Sequence, residues 1–194
     1  MSRVIAFYKP YEVLSQFTDS SGRPTLQSFI PIKGVYAAGR LDYRSEGLLL
    51  LTGDGALIHH LTDPRYEHSK TYLVQVEGVV TSEALEHLRS EIVLPGLQTR
   101  LPQVDLISPP DVPPRPVPVR LYHPTTWLRI RLHEGKKHQV RRMTAAVGFP
   151  TLRLIRVAIG SITLGDLLPG QWRMLSPIEV RQLKADLGIS LEVK

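Results

Sequence analysis

The chain has 194 residues, 42% of them hydrophobic, and 24 Lys and Arg stand against 18 Asp and Glu for a formal net charge of +6. This length holds one domain or two closely joined lobes, the composition is globular, and the basic excess favours an anionic partner. Cysteine is absent, which excludes disulfides, a thiolate nucleophile and any cysteine-held zinc or iron–sulfur centre. No apolar run approaches the ~20 residues of a membrane helix, and the N-terminus lacks a signal-peptide core. A cytoplasmic protein with no membrane attachment is expected.

In chain order, residues 3–8 read as a strand ended by Lys9 and Pro10. Residues 15–34 are polar, punctuated by Gly22, Pro24, Pro31 and Gly34, and predict a loop with a short helix near 26–29. A glycine-bounded polar loop, 39–47, feeds a buried strand at 48–52. Asp54 is placed to cap a helix over 56–61. In 70–77 the alternation puts Tyr72, Val74 and Val76 on one face. A helix is expected over 82–90. Six prolines between 108 and 120 forbid a helix or central strand there and predict an extended connector, the candidate boundary between two lobes.

Residues 127–132 alternate again, with Leu128, Ile130 and Leu132 inward and Trp127, Arg129 and Arg131 outward. Residues 136–147 predict a helix whose Val140, Met143, Thr144 and Val147 form one stripe, stopped by Gly148. A strand follows at 154–159. In the last helix Ser176, Pro177 and Glu179 form a capping-box start, and Leu175 and Val180 a hydrophobic staple. The interspersed order predicts an α+β fold on a mixed sheet.

Three groups of residues could carry chemistry. Arg40 and Asp42 share the loop before a strand, where a neighbouring cation can keep a carboxylate ionised; the same residues could equally form a solvated loop. His138, Arg141 and Arg142 are spaced for one face of a helix beside Lys136 and Lys137, and Arg129, Arg131 and Trp127 add basic and aromatic groups suited to RNA, or to an ordinary solvated surface. Tyr72 reads as a core tyrosine or as the aromatic wall of a base pocket. His59 and His60 are adjacent, so on a helix they diverge by about 100° and do not readily chelate one metal. No phosphate-binding glycine loop or nucleophile elbow is present.

Taken in order, these segments resemble the bacterial ribosomal pseudouridine synthases. Gly39-Arg-Leu-Asp42 running into Gly47-Leu-Leu-Leu-Leu-Thr52 is similar to the family's catalytic motif. Lys70-Thr-Tyr72 resembles its second motif, Glu134-Gly-Lys-Lys-His-Gln-Val-Arg-Arg-Met143 its third, and Leu154-Ile-Arg156 the strand that closes its active site. Ser45 and Gly53 stand where the family often has Thr and Asn. The resemblance implies a mixed, mainly antiparallel central sheet in two joined lobes with a catalytic cleft between them, as one catalytic domain over 1–194 without the S4 RNA-binding domain that many relatives carry. It implies Asp42 as the essential carboxylate, Arg141 as its charge partner, Tyr72 stacking on the uracil and Leu154 as an apolar wall. Arg40, Arg129, Arg131, Lys136, Lys137, His138 and Arg142 are the expected RNA contacts. The implied substrate is ribosomal RNA, with the large subunit favoured, and the target base flipped out. The implied chemistry is redox-neutral and without hydrolysis, so neither metal nor cofactor is expected, and a monomer suffices. A non-catalytic rRNA-binding or ribosome-assembly module on the same fold is the alternative.

Overall fold

The computed structural model describes residues 3–119 and 122–189. From the N-terminus the chain forms strands β1 (Val4–Lys9), β2 (Tyr36–Ala37) and β3 (Glu46–Thr52), helix α1 (Gly55–Thr62), β4 (Lys70–Glu77) and α2 (Ser82–Arg89). It continues with β5 (Val93–Leu94), β6 (Leu97–Gln98), β7 (Gln103–Ile107), β8 (Thr125–Leu132), α3 (Gln139–Ala146), β9 (Thr151–Ile159), β10 (Ile162–Thr163), β11 (Trp172–Met174) and α4 (Pro177–Asp186). The fold is α+β and its strand pairing is mainly antiparallel, as expected.

Two compact units divide the chain: Met1–His68 with Arg156–Lys194, and Ser69–Ile155. The crossings therefore fall at 68/69 and within β9, not in the proline-rich run where a boundary was expected. Residues 108–119 do lack helix and strand, but they lie wholly in the second unit and join β7 to β8. Those two strands pair directly over five positions, from Gln103 opposite Arg131 to Ile107 opposite Trp127. The run is thus a long hairpin loop. Arg153, buried on β9, fastens it by donating to the Pro113 carbonyl at 2.7 Å. Arg120, the last residue of the expected connector, lies outside the described residues.

In the first unit the strand order is β11-β1-β3. β1 and β3 are buried along their whole length on both faces, which is why both read as nearly unbroken apolar runs. Ile5 sits opposite Leu51 and Phe7 opposite Leu49, and they pack with Leu26, Ile30 and Val35. The register ends with Lys9 opposite Gly47. Gly47 has φ 103°, and a Cβ there would lie 2.2 Å from the Arg156 carbonyl oxygen, so only glycine lets β9 approach. Helix α4 starts with the expected capping box, and Arg173 adds two bonds to Glu179 at 2.7 and 2.9 Å.

In the second unit β8 lies between β4 and β7. Tyr72, Val74, Val76, Leu128, Ile130, Leu132 and Val104 share one core with Leu88 of α2 and Val140 and Met143 of α3. Arg129 and Arg131 are exposed, as the alternation predicts. Trp127 is not: it is buried, as is Gln75 opposite it. Period-2 patterning assigns a face of the strand, but it does not say whether that face meets water.

Helix α3 begins at Gln139 rather than at residue 136. His138 adopts left-handed backbone geometry (φ 53°) as its N-cap, and the Lys136 amide donates to Gln139 Oε1 at 3.0 Å. Lys136, Lys137 and His138 therefore occupy a turn, and the helical face expected to join His138 to Arg141 and Arg142 does not form.

Candidate functional site

Asp42 lies in the loop that delivers the chain into β3, and it is half-buried. The backbone around it is anchored from residues 9–15. Ser15 Oγ donates to the Leu41 carbonyl at 2.8 Å and accepts from the Leu41 amide at 3.0 Å. The Glu12 amide donates to the Tyr43 carbonyl at 2.9 Å, and the Ser45 amide closes a turn onto the Asp42 carbonyl at 2.9 Å. Glu12 reaches this position with φ 56°. Asp42 is thus held at three consecutive residues, with its carboxylate carried by a rigid turn rather than a mobile loop.

Lys9 forms the floor of this arrangement. Its side chain is completely buried, and Nζ donates to the carbonyls of Val13 at 2.7 Å, Pro10 at 2.8 Å and Tyr43 at 3.5 Å. Burial pushes its pKa down to about 7; the carboxylates of Glu46 and Asp42 pull it back up, and the Arg156 guanidinium lowers it further. Glu46 and Arg156 are themselves buried, and Arg156 Nε donates to the Leu48 carbonyl at 2.8 Å. Arg40 is exposed, and so is Arg44, which lies 3.8 Å from Glu12.

The other expected residues stand in the second unit. Tyr72 on β4 and Leu154 on β9 belong to the same buried cluster as Val140 and Met143, which flank Arg141 on α3. Arg141 is half-buried, and its Nη1 donates to the Thr151 carbonyl at 3.3 Å. The Thr144 and Thr151 hydroxyls, 2.7 Å apart, tie the same strand start to α3. Tyr72, Leu154 and Arg141 are therefore fixed by one packing unit.

The basic residues divide into two groups. Arg129, Arg131, Lys137 and His138 are exposed. Lys136, also exposed, and half-buried Arg142 donate through Nζ and Nη2 to the carbonyls of Gln98 and Pro95, which holds the β5–β6 hairpin against the start of α3. Glu134 is the hub of this region. Buried, it accepts from the Arg100 amide at 2.9 Å and from Gln139 Nε2 at 2.6 Å, and Lys136 Nζ lies 3.4 Å away. Thr99, also buried, accepts from the Ile92 amide at 2.9 Å and closes the hairpin.

Sequence reasoning missed Lys9, Ser15 and Glu134. Lys9 read only as a strand end beside proline, and Ser15 as one polar loop residue among many. Glu134 had a signal, its place within the third motif, but no pattern indicates that a glutamate is buried. Among the described residues no group of three or more His, Asp or Glu side chains could hold a metal ion, and no helix is long and apolar enough to cross a membrane.

Residues 3–146, which include Asp42, Tyr72 and Arg141, match the family of RNA pseudouridylate synthases. The chain belongs to this family. It is 54% identical over 173 residues to the ribosomal large subunit pseudouridine synthase E of Vibrio parahaemolyticus, a match covering 88% of this chain and 73% of the relative. A protein of the same description from Xanthomonas axonopodis pv. citri is 54% identical over 171 residues, covering 86% of this chain and 90% of that one. Among solved structures, a pseudouridylate synthase crystal structure superposes with a TM-score of 0.77 at 28% identity, over 94% of this chain and 74% of the other. Family membership agrees with the motifs at 39–52, 70–72 and 134–143 and with the α+β architecture.

Proposed function

We propose that this chain converts a specific uridine of 23S ribosomal RNA into pseudouridine, acting as a cytoplasmic monomer with Asp42 as the catalytic carboxylate. The reaction breaks the N1–C1′ bond, turns the uracil and forms a C5–C1′ bond; C5 loses its proton and N1 gains one. Atoms and electrons balance within the nucleotide, so the chemistry calls for neither metal nor cofactor. The substrate class rests on the large-subunit relatives, which are 51–54% identical to this chain. The observation that carries the catalytic role is the Asp42 loop itself, pinned by Ser15 and Glu12 with buried Lys9 below it.

In this reading Arg141 is the charge partner of Asp42, Tyr72 stacks on the uracil and Leu154 lies beneath it. A duplexed uridine cannot reach such groups, so the target nucleotide is flipped out of its stack. Arg40, Arg129, Arg131, Lys137 and His138 contact the RNA directly. Lys136 and Arg142 contribute by holding the β5–β6 hairpin in place for it. All of these belong to one catalytic domain.

Tritium release from a 23S rRNA transcript labelled at uridine C5 tests the proposal. The wild type releases label, whereas Asp42→Asn releases none and keeps its RNA affinity. RNA binding without release from the transcript or from assembled large-subunit particles would leave a non-catalytic module as the correct reading.

A further inference from the structure

Arg23 lies outside every motif discussed so far, in the polar loop before the first short helical turn. Its guanidinium is gripped along one edge: Nε donates to Asp19 Oδ2 at 3.1 Å and Nη2 to Asp19 Oδ1 at 2.7 Å. Asp19 is held in turn. Its Oδ2 also accepts from the backbone amides of Ser21 at 3.1 Å and Arg23 at 3.0 Å, and its side chain is only 5% exposed. These donors draw the Asp19 carboxyl down to about 2 and raise the Arg23 pKa, so the pair stays ionised. The Arg23 side chain is 49% exposed, and among the described residues the end carrying Nη1 makes no hydrogen bond. The guanidinium also sits over the ring of Tyr43, 5.9 Å from its centroid. Tyr43 is the residue next to Asp42.

We infer that Arg23 is a preorganised contact for a phosphate of the RNA backbone beside the nucleotide bound at Asp42; the inference rests on the RNA reading above. An arginine has five N–H donors in a rigid fork. Asp19 occupies the Nε edge and leaves the outer edge, Nη1 with the second hydrogen of Nη2, facing solvent in a fixed direction. That edge matches two oxygens of a phosphate. A surface arginine ordinarily loses rotamer freedom when it binds; here Asp19 and the Tyr43 ring have already fixed it, so less is lost. Exposed Arg40 and Arg44 flank the same loop and extend the positive rim.

The test measures affinity for a 23S rRNA transcript over a range of KCl concentrations, with wild type, Arg23→Ala, Arg23→Lys and Asp19→Asn, each also checked for Tm. Arg23→Ala is expected to weaken binding roughly five- to tenfold, the net size of one ordinary hydrogen-bonding contact at an exposed site, and to lower the salt slope by about one. Arg23→Lys keeps the salt slope but loses part of the affinity, because it lacks the fork. Asp19→Asn also keeps the slope and loses affinity, because the guanidinium is no longer held. Wild-type affinity and slope in Arg23→Ala would overturn the inference. So would a loss in Arg23→Ala that tracks Tm and leaves the slope intact, the mark of a loop staple. A wild type with no affinity for the transcript would instead overturn the RNA reading itself, and is distinguished by being common to all four proteins.

Discussion

Ser15 holds Leu41 by both of its backbone groups, donating to the carbonyl at 2.8 Å and accepting from the amide at 3.0 Å. One hydroxyl thus replaces a strand partner for the residue immediately before Asp42. Ser15→Ala removes both bonds at a half-buried position, at a cost of about 1–3 kcal/mol. The expected larger effect is on rate, since a loop that drifts by about 1 Å can lose up to ~100-fold in catalysis. Tritium-release kinetics and urea unfolding of the same variant should show kcat/KM falling much more than stability. Equal proportional losses would mean that Ser15 holds the fold and not the geometry of Asp42.

Lys9 makes stability depend on pH in an unusual direction. Burial holds its pKa near 7 in the folded protein, against the ordinary lysine value of 10.5 when unfolded. Between these values the unfolded chain binds more protons than the folded one, so stability contributed by this group rises with pH across that window. Below pH 7 both states are protonated and the full cost of burying the ammonium is present. Urea unfolding at pH 7, 8 and 9 should therefore show wild-type stability rising relative to Lys9→Met, which cannot titrate. Parallel curves for the two proteins would refute the lowered pKa. At pH 7 Lys9→Met should also lose activity, because the Val13, Pro10 and Tyr43 carbonyls lose their common donor.

Gly47 pairs with Lys9 across β1 and β3 and fixes the approach of β9. Gly47→Ala places a methyl group 2.2 Å from the Arg156 carbonyl oxygen, at a backbone φ of 103°. Backbone cannot yield as a side-chain tip can, and L-residues avoid that φ. The expected cost exceeds about 3 kcal/mol, read as a drop in the urea midpoint or as insoluble expression. A soluble variant with a wild-type midpoint would show that β3 and β9 can separate without penalty.

The parts of this fold that were legible in the sequence are those in which local pattern and tertiary context agree. Strands β1, β3, β4 and β8 announce themselves by apolar runs or alternation, and α4 by its capping box. Strand β7 does not, because among Gln103–Ile107 only Val104 is buried; its identity comes from pairing with β8, eighteen or more residues away. The β5–β6 hairpin is likewise defined by long-range partners, Lys136 and Arg142. Of the residues proposed for the site, Asp42 and Arg141 were nameable because they lie in long, specific motifs, whereas the short motif holding Tyr72 would be weak alone and gains weight only from its place between them. Lys9 and Glu134 were not nameable, since charged residue types predict solvent and only the folded chain supplies the carbonyls or amides that let them be buried.

Glu134 allows the most local of these ideas to be tested. It joins the end of the β5–β6 hairpin, through the Arg100 amide, to the start of α3, through Gln139. Glu134→Ala removes that amide's carboxylate acceptor and the ion partner of Lys136, which keeps only its bond to the Gln98 carbonyl, so the hairpin and the turn at 136–138 should open more often while the core of β4 and β8 stays closed. Hydrogen exchange should show faster exchange at Arg100, Thr99 and Gln139 and unchanged protection at Val74 and Ile130. Because Lys137 and His138 ride on that turn, RNA affinity should fall while the salt slope stays near the wild-type value, since neither cation is removed. Slowed or unchanged exchange at Arg100 would show that Thr99 and the Arg142 contact hold the hairpin without Glu134.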